Sequence, residues 1–265
     1  MVVLEVQVGK NLLNISNIHL LLTKRRPLTV YVYFSSFPFF GLPQALLQAQ
    51  DLQQLKYQAY LAALSDALRY EYQAITAAGL LLQIDCPDLA LARHMIFADQ
   101  SDEEFLRIAS MHVEALNAAL DGIPEDSIRI HICWGNYEGP HVCDIDMDKV
   151  FTTLMGTRAR YVLFETSNPR HAHEWTVFRD RASEIPDDKV LVPGVVDTTT
   201  NFVEHPELVA ERIARFVDIV GAERVIAGSD CGFGTFAGFG AVDPEIAYAK
   251  LTSLAEGAAL ASSRL

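Results

Sequence analysis

From residue 51 onward the chain alternates two hydrophobic rhythms. Long segments rich in Leu, Ala, Gln and Glu are separated by short, continuous apolar runs. The long segments predict helices over 51–78, 101–120, 147–155, 175–182, 206–220 and 244–261. Gly79 closes the first of them, as a glycine at a helix C-terminus often does. Ser101 precedes Asp102, Glu103 and Glu104, which reads as an N-cap followed by acids that suit the helix dipole. The apolar runs predict strands over 80–85, 128–134, 161–165, 190–197 and 224–231, with a sixth at 28–34.

Strand followed by helix, repeated with short links, implies parallel βαβ units, and continuously apolar strands imply a sheet covered on both faces. Polar residues gather where the strands end: Asp85, His131 with Cys133, Glu165, Asp197, and Asp230 with Cys231. Such clustering at the C-terminal ends of strands is the pattern of a TIM-like (β/α) barrel. An open doubly wound sheet is the alternative. No Gly-x-Gly-x-x-Gly follows a strand, so a dinucleotide site is not expected. Six recognisable strands fall short of the eight of a closed barrel, so the barrel is read as incomplete at its N-terminal side. Residues 1–50 form a divergent segment without clear periodicity, containing Arg25-Arg26-Pro27 and Phe37-Pro38-Phe39-Phe40, and 51–265 form the barrel domain.

Composition narrows the partners. The 265 residues are 50% hydrophobic and carry a formal charge of -13. An acidic surface argues against nucleic acid or an anionic membrane. No run reaches the roughly 18 apolar residues of a membrane helix. The apolar patch at 18–22 has neither a basic region before it nor a small-residue cleavage site after it, so no signal peptide is read and a cytoplasmic location is expected. In that setting the sequon Asn14-Ile15-Ser16 is a chance match. Four cysteines, Cys86, Cys133, Cys143 and Cys231, are too sparse for a disulfide framework and read as reduced thiols or metal ligands.

The chemistry starts from His131-Ile132-Cys133. Residues two apart on a strand share a face, and one imidazole with two thiolates, the second from Cys231, is a zinc ligand set with room for a substrate. Singly, each residue also fits a packed core position. Glu165 is the natural fourth ligand; it also fits a helix cap or a partner of Arg170. Asp85 fits a group that binds a substrate amine, one that orients the ligand histidine, or a helix cap before Pro87. Asp197, ahead of three threonines, fits a cap as well. His141 with Cys143, and His171 with Arg170 and His173, lie in loops; the first pair fits a second metal site but reads better as loop packing, and the second group fits an anion. A carboxylate pair such as Asp85 and Glu165 would suit glycoside hydrolysis but leaves the cysteines unexplained. No nucleophile elbow or P-loop is present.

Taken together, Leu82-Gln83-Ile84-Asp85, His131-Ile132-Cys133, Phe164-Glu165, Pro193-Gly194-Val195-Val196-Asp197 and Asp230-Cys231-Gly232 resemble the cobalamin-independent methionine synthase superfamily. The nearest likeness is to its shorter, methionine synthase II members, a group similar to epoxyalkane:coenzyme M transferase. Cys133-Trp134-Gly135-Asn136-Tyr137-Glu138-Gly139-Pro140-His141 and Asn168-Pro169-Arg170-His171 carry it further. The resemblance covers roughly 55–265. It implies a TIM-like barrel with zinc held by His131, Cys133, Cys231 and Glu165. It also implies a small-molecule thiol attacking an alkyl donor, with Asp85, Trp134, Asn136 and Asp197 near the substrates and Asp85 and Glu165 catalytic. Two departures stand out: Cys86 replaces a glutamate, and Thr199 replaces a histidine that would protonate a folate leaving nitrogen. The front of the family barrel is not recognisable, so the chain reads as truncated or divergent by about two strands. Open strand edges make self-association an expectation. A zinc-binding remnant without turnover, and a metal-free lyase or decarboxylase on a related barrel, remain alternatives.

Overall fold

The computed structural model describes residues 32–35, 52–234 and 242–265. Among these residues six parallel strands, β1 (Val32–Ser35), β2 (Leu82–Cys86), β3 (Ile128–Ile132), β4 (Tyr161–Phe164), β5 (Val190–Val196) and β6 (Gly228–Ser229), lie side by side in chain order. Sequential order is the winding of a barrel; a doubly wound sheet would reverse direction at a switch point. Among the described residues β1 and β6 are not paired with each other, so the barrel is not closed. The apolar patch at 18–22, the sequon at Asn14, the stretches 25–27 and 37–40 and the start of the predicted 28–34 strand lie outside the described residues, as does most of the predicted 1–50 segment.

The helices are α1 (Leu52–Ala77), α2 (Leu91–Met95), α3 (Asp102–Ala119), α4 (Met147–Met155), α5 (Trp175–Asp180), α6 (Pro206–Val220) and α7 (Pro244–Ser263). Local chemistry sets their ends. Ser101 accepts from the Glu104 amide at 3.2 Å, Asp243 accepts from the Glu245 amide at 2.8 Å, and Pro206 and Pro244 open their helices without losing a bonded N–H. Gly221, at φ +84°, stops α6. α2 has too few residues to show a period, and the sequence pattern missed it. The predicted helix over 175–182 ends at Asp180, and a 3-10 turn takes Ala182–Glu184.

Every residue of β3 and β5 is buried, as a covered parallel sheet requires. On the helix side, Phe164, Phe178 and Phe216 interlock with ring centroids 4.3–5.6 Å apart, and Phe151 joins through Phe178. Register then aligns the other side: Asp85 pairs with His131, His131 with Leu163, and Leu163 with Val192. The last strand is much shorter than its predicted 224–231 span, because the β5–β6 ladder slips between Gly194 and Val196 and only an isolated bridge links Leu191 to Val225. The slip leaves Asp230 and Cys231 just beyond the strand end, turned toward the neighbouring loops.

Candidate metal centre

Two overlapping clusters share Cys133. Asp85, His131 and Cys133 each present a ligand atom within 4.8 Å of the others, and so do Cys133, Glu165 and Cys231. Adjacent-strand register puts the Asp85 carboxylate on His131 Nδ1 at 2.8 Å. His131 Nε2 donates to the Asp230 carbonyl at 2.9 Å. With acceptors at both nitrogens, the ring carries both protons. Burial opposes that charge, but the Asp85 carboxylate outweighs it and raises the imidazole to about 10.

The second cluster is the tighter one. Cys133 Sγ lies 3.8 Å from Cys231 Sγ, and Cys231 Sγ lies 3.5 Å from Glu165 Oε1. Two thiolates on a tetrahedral zinc would stand about 3.8 Å apart, and a thiolate and a carboxylate oxygen about 3.6 Å, given ordinary bond lengths. The donor set fits zinc in both chemistry and spacing. All three side chains are buried, and both cysteines are free thiols. The bond with Cys133, then burial, raises the Cys231 thiol.

Glu165 is aimed by its surroundings. The Trp134 amide donates to Oε1 at 2.8 Å, the Asn168 side chain donates to Oε2 at 2.8 Å, and Arg170 stands 3.8 Å away. Asp230, which sequence reasoning noted at a strand end without giving it a task, organises the loop after β4. Its carboxylate accepts from the amides of Thr166, Ser167 and Asn168 at 3.0, 2.9 and 2.8 Å, and from the Asn168 side chain at 3.0 Å. Burial and the Glu165 charge push that carboxyl up to about 7. Asn168 therefore bridges the carboxylates on either side of Cys231. No spacing rule reveals such a bridge, because its members are 3 and 62 residues apart.

The remaining site residues fall as follows. The Trp134 ring is fully buried, its Nε1 donating to the Ile145 carbonyl at 2.7 Å and its face against His171 at 4.6 Å. Asn136 donates to the Gly232 carbonyl at 2.6 Å and accepts from the Thr198 hydroxyl at 2.8 Å. Asp197 caps its own loop, accepting from the Thr199 amide and hydroxyl, both at 2.9 Å. His141 packs between Tyr137 and His94, while His171 donates to Glu174 at 2.7 Å.

Around His171 the electrostatics predict a pH effect. Burial alone would lower its imidazole, but Asp144 and Glu174 outweigh burial and raise it to about 9. A raised histidine stabilises the fold fully below its unfolded value of about 6.5 and loses that contribution as pH climbs through about 9. Unfolding free energy should fall by on the order of 3 kcal/mol across that interval. Denaturant titrations of wild type and His171→Gln should show the slope reduced in the variant; equal slopes would refute it.

The sequence model described as "Cobalamin-independent synthase, Catalytic domain" matches residues 43–243. The 2-hydroxypropyl-CoM lyase of Xanthobacter autotrophicus is 26% identical over 176 residues, covering 58% of this chain and 45% of the relative. A methionine synthase of Saccharolobus solfataricus is 27% identical over 197 residues, covering 73% and 48%. The structure of a B12-independent methionine synthase from Shewanella sp. W3-18-1, in complex with selenomethionine, superposes with a TM-score of 0.58 at 18% identity, covering 82% of this chain and 57% of that one. The chain spans about half the length of the curated relatives it matches.

Proposed function

Because the chain belongs to the cobalamin-independent synthase catalytic-domain family, we propose that it transfers an alkyl group, a methyl group in the simplest case, to a small-molecule thiol in a zinc-dependent reaction. The observation that carries the reading is the buried Cys133–Glu165–Cys231 cluster, with its 3.8 and 3.5 Å spacings. His131, Cys133, Glu165 and Cys231 would hold the metal. When bound, zinc supplies a local positive charge that keeps a thiol deprotonated yet nucleophilic at neutral pH.

The chain's own groups do the rest. Asp85 keeps the His131 Nδ1 proton, so that Nε2 is the nitrogen that gives up its proton and turns from the Asp230 carbonyl. A carboxylate in that position also serves the amino group of an amino-acid thiol. Trp134 contributes its backbone N–H, and Asn168 its amide, to hold the Glu165 charge in place. Asn136 and Asp197 border the site from the loops after β3 and β5. Burial of the cluster excludes water, which strengthens every charge interaction within it.

Metal analysis of the purified protein should find about one zinc per chain. A folded chain without zinc would overturn the reading. A second reading, zinc binding without turnover, is favoured by Thr199, whose hydroxyl is committed to Asp197 and offers no imidazole to protonate a leaving group. Screening thiols against methyl donors and epoxides separates the two. Product formation supports transfer; bound zinc with no product from any pair supports the second reading.

Among the described residues, no helix is long and apolar enough to cross a membrane. We further propose that the protein acts in the cytoplasm on small molecules, and that strand edges left unpaired among the described residues favour self-association.

A further inference from the structure

Lys250 lies on α7, outside the metal-site loops, and its side chain is fully buried. A buried ammonium is retained only with partners, and these partners are specific. Its Nζ donates to both oxygens of Glu204, at 3.2 and 3.0 Å, and to the Phe202 carbonyl. Ser253, one turn further on α7, donates to the Glu204 backbone carbonyl. Glu204 in turn accepts from the Asp197 amide at 2.8 Å. Both ends of the loop joining β5 to α6 are thereby fixed to α7.

That loop carries Thr198, whose side chain is also buried. Thr198 donates to Asn136 Oδ1 at 2.8 Å, and Asn136 donates to the Gly232 carbonyl at 2.6 Å. Gly232 follows Cys231 directly. A continuous line of hydrogen bonds and one ion pair runs from Lys250 through Glu204, the 197–198 backbone, Thr198 and Asn136 to the turn that presents the Cys231 thiol. A neutral pair of apolar residues would fill the same space without desolvating two charges, so stability alone does not account for the ion pair.

We propose that Lys250, Glu204 and Thr198 are positioning residues for the Cys231 thiol, setting the geometry of the metal centre from α7. The inference rests on the zinc reading above. Partners beyond the ligands usually change metal affinity about 10–100-fold when removed, and that range is expected here.

The test uses the full chain, with zinc and cobalt(II) as the probes. Thr198→Val keeps the shape and removes only the hydroxyl; Lys250→Met removes the anchor. Zinc affinity is measured by competition with a chelator, and the site geometry by the thiolate-to-cobalt absorption bands. Both variants should bind zinc at least about 10-fold more weakly and shift the cobalt bands. For Thr198→Val the thermal midpoint of the metal-free protein should stay near that of wild type. A role confined to fold stability would move the midpoint and leave the bands alone. If Lys250→Met does not fold, Thr198→Val decides the matter. Wild-type affinity and wild-type bands in Thr198→Val would overturn the proposal while leaving the zinc reading intact. Failure of the wild type itself to bind zinc or cobalt would instead remove the reading on which it rests.

Discussion

Serine in place of Cys231 is expected to weaken zinc binding by more than about 100-fold, beyond the range typical of changes outside the ligand shell. Cys231 is the hub of the tighter cluster: its sulfur lies 3.8 Å from Cys133 and 3.5 Å from Glu165. A hydroxyl is a harder donor, ionises far less readily than a thiol and reaches less far, so both spacings would be wrong for it. The two side chains are otherwise close in size, and the apo fold should tolerate the change. Chelator competition measures the affinity, and loss of thiolate-to-cobalt absorption gives an independent readout. Wild-type affinity in Cys231→Ser would show that the metal, if bound, sits elsewhere.

Gly194→Ala should be the most damaging single methyl group in the sheet. A Cβ at Gly194 would lie 2.1 Å from the Asp230 carboxylate, 2.6 Å from the Asp230 Cα and 2.8 Å from its amide nitrogen. Two of those atoms are backbone, so no rotamer change relieves the clash. The strand would have to part from the loop that carries Asp230 and Cys231. A cost of about 3 kcal/mol or more is expected, read as a fall in Tm of about 6 °C or more, with zinc affinity falling in parallel. Gly221→Ala is the comparison. Nothing lies within 4 Å of a Cβ there, but φ is +84°, so backbone strain of about 1–3 kcal/mol is expected with no effect on the metal. Equal metal affinity in both variants would dissociate Gly194 from the site.

The barrel winding was legible in the sequence because each strand between Leu82 and Val196 is mostly apolar, interrupted before its end only by Gln83 and Arg129, with a polar residue at or just past its end. Burial on both faces writes itself into such a run without any long-range information. The 224–231 segment misled for the same reason. Its apolar pattern reads as one strand, whereas the register shift at Gly194/Val196 leaves only Gly228–Ser229 in the ladder. Of the candidate site, His131, Cys133 and Cys231 stood out in the sequence because few residue types bind zinc. What supports them did not. Asp230 joined to three successive amides, Asn168 spanning two carboxylates, and Lys250 beneath the 197–204 loop depend on which strand ends become neighbours. Asp85 shows the border between the two cases. The residue stood out at its strand end, but its bond to His131 follows from the β2–β3 register.

The three amides gathered by the Asp230 carboxylate have a consequence for how the site is assembled. They belong to the loop after β4, and their acceptor stands directly before Cys231 in the chain. Two segments that carry candidate ligands are therefore fastened to each other by protein groups alone. A zinc finger is a chain that waits for its ion before it has a shape. Here an ion would find the Glu165 and Cys231 segments already joined, with only the His131 ring left to turn, so its traffic would be governed by access and exchange rather than by folding.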